Sequence, residues 1–334
     1  MSIIMKENTG TPPILLIVYK RPDATRLVFE EIRKARPQKL FIGADGPKEG
    51  NSEDAHKVDE VRKIVQNVDW DCDVKTLFYE KNVGSRITES SAISFFFDNV
   101  EEGIILEDDC LPDQSFFRFC RELLEKYRND KRVMHISGNN FQFGRKVGNG
   151  SYYFSRFSYG WGWASWKRAW NYYDVEMKSY PAFKAQNQIR NVFKSIIMQQ
   201  YYMDRLDEAY NRQVDCWDNQ WGYAIWSQNG ICIVPNMNLV SNIGFGPDGT
   251  YCTDKDDIVA NIDSNTMLYI IHPDFMLPDD EVDKAAFEKI NHYTYLQKLK
   301  KYVWIAFSPV LVSCIGESRT RELKGVIRKA IRRK

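Results

Sequence analysis

Short apolar runs alternate with amphipathic stretches along the first part of the chain. Apolar runs bounded by turn residues are typical of buried parallel strands, and a 3.6-residue apolar period indicates helices. The β-α-β-α order predicts an α/β fold with a mostly parallel sheet, right-handed crossovers and flanking helices. The predicted strands are Pro13–Tyr19, Lys39–Ala44, Cys72–Tyr79, Gly103–Cys110 and Val133–Ser137, and the predicted helices are Pro22–Arg36, Asp54–Val68, Thr88–Asn99 and Asp113–Arg128.

The second half of the chain changes character and is dense in aromatic residues. Nine lie between Tyr152 and Trp170, and most of them are expected to form a hydrophobic core. Glycine-containing loops like the one that ends this half close over bound substrates and exclude water. The predicted segments are a long helical region, a helix, a last short strand and a mobile loop: Phe183–Tyr210, Asp215–Asn229, Gly230–Pro235 and Val240–Thr253.

Three consecutive acids, Glu107, Asp108 and Asp109, end the fourth predicted strand. Ligands of open α/β sheets bind at the carboxyl ends of strands. Adjacent carboxylates repel one another unless a cation meets them, and Mg²⁺ or Mn²⁺ prefers carboxylate oxygens. Side-chain alternation would send Glu107 and Asp109 to one side and Asp108 to the other. The alternative is a solvated turn before a helix N-cap at Asp113.

Polar residues also follow the other predicted strands: Arg21, Asp45, and Asn82 with Arg86. One such residue usually reflects turn chemistry, but four strand ends that meet at one sheet edge indicate a binding crevice. The chain lacks the glycine-rich phosphate loops of dehydrogenases and P-loop proteins. A nucleotide diphosphate would therefore need a metal on Asp109, helped by Arg21 or Arg86.

Two features of the second half are candidates for contact with an acceptor. Trp161 and Trp163 alternate with glycines, which let a ring approach a sugar closely, whereas the alternative for these rings is core packing. Asp218 is a second carboxylate that folding could bring to the acid strand as a general base. Its alternative role is that of a helix N-cap.

Charge is unevenly distributed, although the whole chain carries only +1. The segment 296–334 contains eleven Lys or Arg and two Glu, a net +9, which leaves −8 for the preceding residues. Because Tyr302–Ile315 is largely apolar, we expect this tail to lie on an anionic membrane surface, where each basic residue contributes about 1 kcal/mol. The alternative is a helix packed on the domain with a solvated basic end. No base-stacking module accompanies the tail, so no nucleic acid is expected as a partner.

The seven cysteines show no Cys-x-x-Cys spacing, which argues against a zinc cluster or a disulfide framework and fits a reducing compartment. Met1–Thr11 is too polar for a secretory signal, and no run approaches the ~18 apolar residues of a spanning helix. We therefore expect a cytoplasmic protein, at the inner face of the plasma membrane if the tail binds lipid.

Several motifs of this chain resemble those of one enzyme family. Leu106-Glu107-Asp108-Asp109, followed by Pro112 and Phe116-Phe117, resembles a Glu-Asp-Asp metal motif, and Gly160-Trp161-Gly162-Trp163 resembles a Gly-Leu-Gly-Trp segment. Trp217-Asp218-Asn219 resembles a Trp-Asp-Asp motif. These motifs are those of the GT-A glycosyltransferases, and among them of the N-acetylglucosaminyltransferase I family and its bacterial relatives.

The resemblance covers roughly Pro13–Thr253 and implies a Rossmann-like GT-A fold in residues 1–255. It implies a nucleotide-binding half (12–140), an acceptor-binding half (141–255) and a C-terminal helical, basic extension (256–334). It also implies an inverting transfer of a sugar from a nucleotide sugar, expected to be UDP-linked, to a glycan or lipid-linked glycan in bacterial surface polysaccharide synthesis. Asp109 would bind Mn²⁺ or Mg²⁺, and the donor would meet Tyr19, Arg21, Asp45, Asn82, Arg86, Glu107 and Asp108.

The resemblance departs from the family at the catalytic base. An overlay of the Trp-Asp-Asp motif places Asn219 at the position of the usual base, and an amide cannot accept the proton. Either Asp218 then serves as the base or the base lies elsewhere, and Trp161, Trp163 and Asn219 are expected near the acceptor. The alternatives are a sugar nucleotidyltransferase, whose Gly-x-Gly-Thr-Arg signature is missing here, and a non-catalytic nucleotide- or glycan-binding protein.

Overall fold

Four parallel strands and the helices between them form the first part of the fold. The computed structural model describes residues 10–246, 257–260 and 262–291, and single positions between 299 and 319. The chain has the mixed α/β architecture predicted, with a mostly parallel sheet flanked by helices. The first strands are β1 (Ile14–Val18), β2 (Lys39–Ala44), β3 (Asp73–Phe78) and β4 (Glu102–Glu107), joined by α1 (Pro22–Ala35), α2 (Ser52–Gln66) and α3 (Ser85–Asn99).

The remaining elements complete the sheet and cover it. The described residues contain β5 (Cys110–Pro112), α4 (Gln114–Tyr127), β6 (Val133–Ser137), β7 (Tyr152–Ser155), β8 (Trp163–Trp166), α5 (Lys167–Trp170), α6 (Tyr180–Ala185), α7 (Ile196–Tyr210), α8 (Asp218–Ser227), β9 (Ile231–Pro235), β10 (Val240–Asn242) and α9 (Asp280–Ile290). Within these residues, eight strands form one sheet in the order β3-β2-β1-β4-β8-β6-β9-β7. A separate antiparallel pair joins β5 to β10.

Strand β8 connects the two halves of the sheet, because it pairs antiparallel with both β4 and β6. Its amino-terminal end therefore lies at the edge where β4 and β6 have their carboxyl ends. Hydrophobic cores cover both faces of the sheet. Helix α3 packs especially closely, since a Cβ atom on Gly103 of β4 would overlap the Phe96 ring. This packing holds the last turns of α3 against the amino-terminal end of β4.

The structure corrects several predicted boundaries. Strand β4 ends at Glu107, and Asp108-Asp109 form a turn before β5 instead of continuing the strand to Cys110. The predicted long helix at Phe183–Tyr210 is broken between α6 and α7, and Asn187 there has a positive φ of 51°. Strand β9 is followed by β10, so the predicted loop from Val240 begins as a strand.

Some predictions fall on parts of the chain that the structure does not describe. Positions 247–253 of the predicted glycine-containing loop lie outside the described residues, as does most of the basic tail. The extension contributes α9 to the described part. No helix in that part is both long enough and apolar enough to cross a bilayer.

Candidate active site

Glu107, Asp108 and Asp109, at the end of β4 and in the turn after it, are called the acid turn below. The acid turn lies at the carboxyl edge of the sheet, under the loop that follows β10. Ile243 N donates to the backbone oxygen of Asp109 at 2.8 Å, and a Cβ atom on Gly244 would overlap the Asp109 carboxylate. Asp109 is only 6% exposed. Pairing of β10 with β5 therefore brings residues of the second half directly onto the acid turn.

The three acids divide between two environments. Asp108 faces the end of β1, where its carboxylate accepts from Tyr19 N at 3.0 Å and lies 3.4 Å from Arg21 Nη1. Glu107 and Asp109 lie together, and their carboxylate oxygens and the Cys110 thiol are within 4.8 Å of one another. The same Arg21 guanidinium forms an ion pair with Asp109. Arg21, predicted to contact phosphates, thus lies against the acids.

Carboxylates from both halves of the chain meet at this edge. Burial, and then the charges of Glu89, Asp109, Asp108 and Asp218, raise the pKa of Glu107 well above its ordinary value. Burial, and then Asp218 and Asp109, raise the pKa of Glu89 to about 8. Asp218 therefore stands near the acid turn, although it lies 109 positions beyond Asp109 in the chain. Sequence reasoning missed Glu89, which belongs to no motif.

Solvent reaches this cluster at the edge of the sheet. Asp218 is exposed and Glu89 and Glu107 are half-buried, yet enough protein surrounds each carboxyl to raise its pKa by desolvation. Burial and Asp109 raise the pKa of Asp108 to about 7. Among the described residues, no hydrogen-bond donor or cation contacts the Glu107 carboxylate.

The donor set suits a hard divalent cation, which carboxylate oxygens bind preferentially. Glu107 and Asp109 supply oxygens on one side of the turn, where several acids repel one another. A cation there would relieve this repulsion and lower the pKa values of the acids. The residues present therefore fit the predicted Mn²⁺ or Mg²⁺.

Asp45 has a different role from the predicted contact with the nucleotide. Its carboxylate is 5% exposed and accepts from four donors: Gly46 N, Asn82 Nδ2, Val83 N and Gly84 N, at 2.7–3.1 Å. A carboxylate has about four acceptor positions, so the N–H groups of a nucleotide base would find none open. Asp45 and Asn82 instead tie the end of β2 to the loop before α3.

Asp54, which sequence reasoning missed, orients the residues that follow β1. It accepts from Lys20 Nζ at 2.7 Å and from the Tyr19 hydroxyl at 3.1 Å. These bonds fix the orientation of the Tyr19 side chain. Its signal in the sequence is only that of an acid in the first turn of α2, where acids favour the helix dipole.

The two tryptophans predicted to meet the acceptor occupy unlike positions. Trp163 is fully buried and stacks on His135 and Trp217, with ring centroids 5.0 Å and 5.5 Å apart. Its faces are covered by protein, so Trp163 is a core residue and the prediction of ligand contact is wrong. Trp161 is half-buried at the rim, where its ring meets Phe141 and Phe245 edge-on.

The remaining predicted residues make contacts within the second half of the chain or between the two halves. Asp218 is the first residue of α8 and accepts from Asn219 N at 2.9 Å, while Trp217 is at the N-cap position. The Asn219 amide donates to the Cys216 sulfur at 3.2 Å. Arg86 lies 3.5 Å from Glu176, and its backbone N–H donates to Asp215.

Comparisons with known proteins yield partial structural likenesses only. No family model matches the chain, and no curated protein matches it in sequence. It is similar to the mannosyltransferase PcManGT from Pyrobaculum calidifontis in complex with GDP-Man and Mn²⁺, at 13% identity and a TM-score of 0.34 over 49% of this chain. That match spans about half of the mannosyltransferase, 47% of its length.

Two further solved structures match larger shares of their own chains. Apo mouse xyloside xylosyltransferase 1 matches at 13% identity and a TM-score of 0.30, over 65% of this chain and 81% of that one. A UDP-glucose pyrophosphorylase complexed with UDP-glucose matches at 10% identity and a TM-score of 0.29, over 48% and 78% respectively. The neighbours thus include glycosyltransferases and a sugar nucleotidyltransferase.

Proposed function

We propose that this protein is a metal-dependent glycosyltransferase that moves a sugar from a nucleotide sugar, UDP-linked, to a hydroxyl group of a glycan or lipid-linked glycan. One observation carries the proposal: carboxylates from the two halves of the chain lie close enough at the carboxyl edge of the sheet to raise one another's pKa values. Metal-assisted transfer to a hydroxyl needs acids in two roles, as metal ligands and as a base.

Asp109 and Glu107 would hold Mn²⁺ or Mg²⁺. Bound there, the cation supplies positive charge to the diphosphate that leaves with the nucleotide. The Arg21 guanidinium stands beside the same acids and can add a second positive charge on the leaving group. Tyr19, whose hydroxyl is held by Asp54, would contact the nucleotide with its ring.

Asp218 serves as the general base that takes the proton of the acceptor hydroxyl. A general base works best with a pKa near the working pH, and burial raises the pKa of Asp218 in that direction. Glu89, whose pKa is raised to about 8, is the alternative candidate for the general base. Attack from the face opposite the leaving group inverts the anomeric centre. The half-buried Trp161 offers a ring edge to the acceptor at the rim.

A thermal-shift panel of nucleotide sugars tests the donor, because a ligand that binds only the folded state raises Tm. We expect one donor to raise Tm with Mn²⁺ present, and free nucleoside diphosphate to appear on addition of an acceptor. Asp109→Asn should abolish the Mn²⁺-dependent shift, whereas Asp71→Asn, an exposed acid before β3, should leave it unchanged. An undiminished shift in Asp109→Asn would contradict the assigned metal site.

We further propose that the acceptor is carried on a lipid, at a membrane reached through the basic tail. The sequence of 296–334 combines apolar residues with a charge of +9, which suits an anionic surface. Flotation with anionic vesicles should recover the full chain but not a chain truncated at Tyr295. Equal recovery of both chains would remove the tail from the proposal.

A further inference from the structure

Asp215 attaches the linker between α7 and α8, residues 211–217, to the first half of the chain. Its carboxylate accepts from the backbone N–H groups of Ser85 and Arg86 at 2.9 Å and 3.1 Å, across 130 positions of sequence. These are the first amides of α3, which otherwise lack partners within the helix. The N-cap position of α3 is Gly84, which has no side chain to supply the bond.

A cap of this kind usually comes from the residue just before the helix. Here it comes from the acceptor half, and the fit is close: a Cβ atom on Gly84 would lie 2.5 Å from Asp215 Oδ2. The contact therefore depends on the relative position of the two halves. The first turn of α3 is therefore a point of attachment, or joint, between the two halves.

A second chain of contacts runs beside the first. Arg86 of α3 pairs with Glu176 at 3.5 Å, and Glu176 forms an ion pair with Arg212 at the start of the same linker. At the far end of the linker, Trp217 is buried against Trp163 and Trp170 of the acceptor half. The linker is thus attached to both halves immediately before Asp218.

We propose that Asp215 is a positioning residue for the glycosyl transfer proposed above: its bonds to Ser85 and Arg86 set the distance between Asp218 and the acid turn. The positions of two carboxyl groups, those of Asp218 and Glu89, depend on these bonds. Asp218 follows three residues later in the chain, and Glu89 lies one turn into α3, where it accepts from the Ser85 hydroxyl at 2.6 Å. Asp215 itself contacts backbone amides of α3 and takes no proton from the acceptor.

Substitution of Asp215 tests this with a matched control at Asp279. Asp279 caps α9 in the same way, through Glu281 N and Val282 N at 2.9 Å and 3.4 Å, but its cap is local and belongs to the extension. A misplacement of about 1 Å costs roughly 100-fold in rate. We expect Asp215→Ala to lower kcat by about 10- to 100-fold with the donor KM nearly unchanged.

Asp215→Asn should recover part of the rate, because its amide oxygen can accept one of the two N–H groups. Asp279→Ala should lower Tm without lowering kcat. A wild-type kcat in Asp215→Ala would overturn the proposal, and so would a loss confined to donor KM or an equal loss in Asp279→Ala.

Hydrogen exchange separates a failure of this inference from a failure of the proposed function. We expect residues 216–222 and the first turn of α3 to exchange faster in Asp215→Ala and to be unchanged in Asp279→Ala. If the wild-type protein turns over no nucleotide sugar, the function fails, and exchange alone decides whether Asp215 joins the halves. Unchanged exchange in Asp215→Ala would overturn the inference whatever the activity.

Discussion

Asp45 and Asp215 divide four consecutive backbone N–H groups between them. Val83 N and Gly84 N donate to Asp45, at 2.9 Å and 3.1 Å. The next two, of Ser85 and Arg86, donate to Asp215 at 2.9 Å and 3.1 Å. One carboxylate belongs to the first half of the chain and the other to the second half, so the segment 83–86 has a fixed position only when both halves are folded around it.

Gly84→Ala should disturb this joint more than its backbone strain alone would. Gly84 has φ of 87° and ψ of 160°, a conformation that costs a non-glycine residue about 1–3 kcal/mol, and the new Cβ would also press on Asp215. Gly144 is a matched control, since its φ is 86° and no atom lies within 4 Å of its Cβ position. Urea unfolding of both alanine variants should show the larger loss of unfolding free energy for the Gly84 variant. Equal losses would mean that Asp215 moves away from the new Cβ atom at no energetic cost.

Substitution of the two neighbouring tryptophans should separate core packing from acceptor binding. Trp163→Ala removes a fully buried ring and should lower the free energy of unfolding by about 3–5 kcal/mol. Trp161→Ala removes a half-buried ring at the rim and should cost less, while raising the acceptor KM. Denaturant unfolding and steady-state kinetics of both variants test this, and an unchanged acceptor KM in Trp161→Ala would remove that ring from the site.

The apolar pattern predicted the first half of the fold because β1, β2 and β4 are short, mostly buried runs bounded by turn residues, whereas β3, at the edge of the sheet, is mostly exposed. Strands β1 to β4 lie within two residues of their predicted limits at nearly every end. Strands β7 and β8 were missed because every residue of each strand is buried, so no two-residue alternation exists to reveal them. Their pairing depends on partners far away in sequence.

The cluster of acids at Glu107–Asp109 could be predicted because the three acids are adjacent and follow a strand. Glu89 could not, since it is an isolated acid on a helix, and its surroundings arise only when α3 and α8 meet. Asp215 was equally invisible as a cap, because its partners are backbone amides with no sequence signature. Trp163 was misassigned because glycine neighbours suggest access, whereas His135 and Trp217 cover the ring.

The acid cluster should make stability fall with rising pH when no divalent cation is present. The pKa of Asp108 rises from 3.8 to about 7 and that of Glu89 from 4.5 to about 8, mainly through burial. The folded state therefore binds these protons more tightly than the unfolded chain. Their contribution to the free energy of unfolding is present below about pH 4 and is lost as the pH rises through about 7 to 8, at up to about 1.4 kcal/mol per pH unit for each proton.

Thermal unfolding in a chelator, repeated with Mn²⁺, measures this dependence. The Tm gain from Mn²⁺ should grow over the same pH range, because the cation replaces protons on the acids. Glu89→Gln should flatten the slope that remains in the chelator. Asp283 on α9 also has a raised pKa, of about 6, through burial, so Asp283→Asn should be measured in parallel to subtract its share. A slope that neither variant changes would show that other groups control it.

The identity of the base depends on a comparison of Asp218 with Glu89, since Asn219 cannot take the proton. Asp218→Asn keeps the acceptor for Asn219 N and nearly the same volume, so the start of α8 should be preserved. We expect kcat to fall by roughly 10²–10⁴-fold, the share that a positioned base contributes, with donor KM unchanged. Glu89→Gln should lower kcat less and shift the pH-rate profile, because it removes a charge that raises the pKa of its neighbours. If Glu89→Gln shows the larger loss of kcat while Asp218→Asn turns over normally, Glu89 on α3 accepts the proton. Asp218 would then act only through its charge.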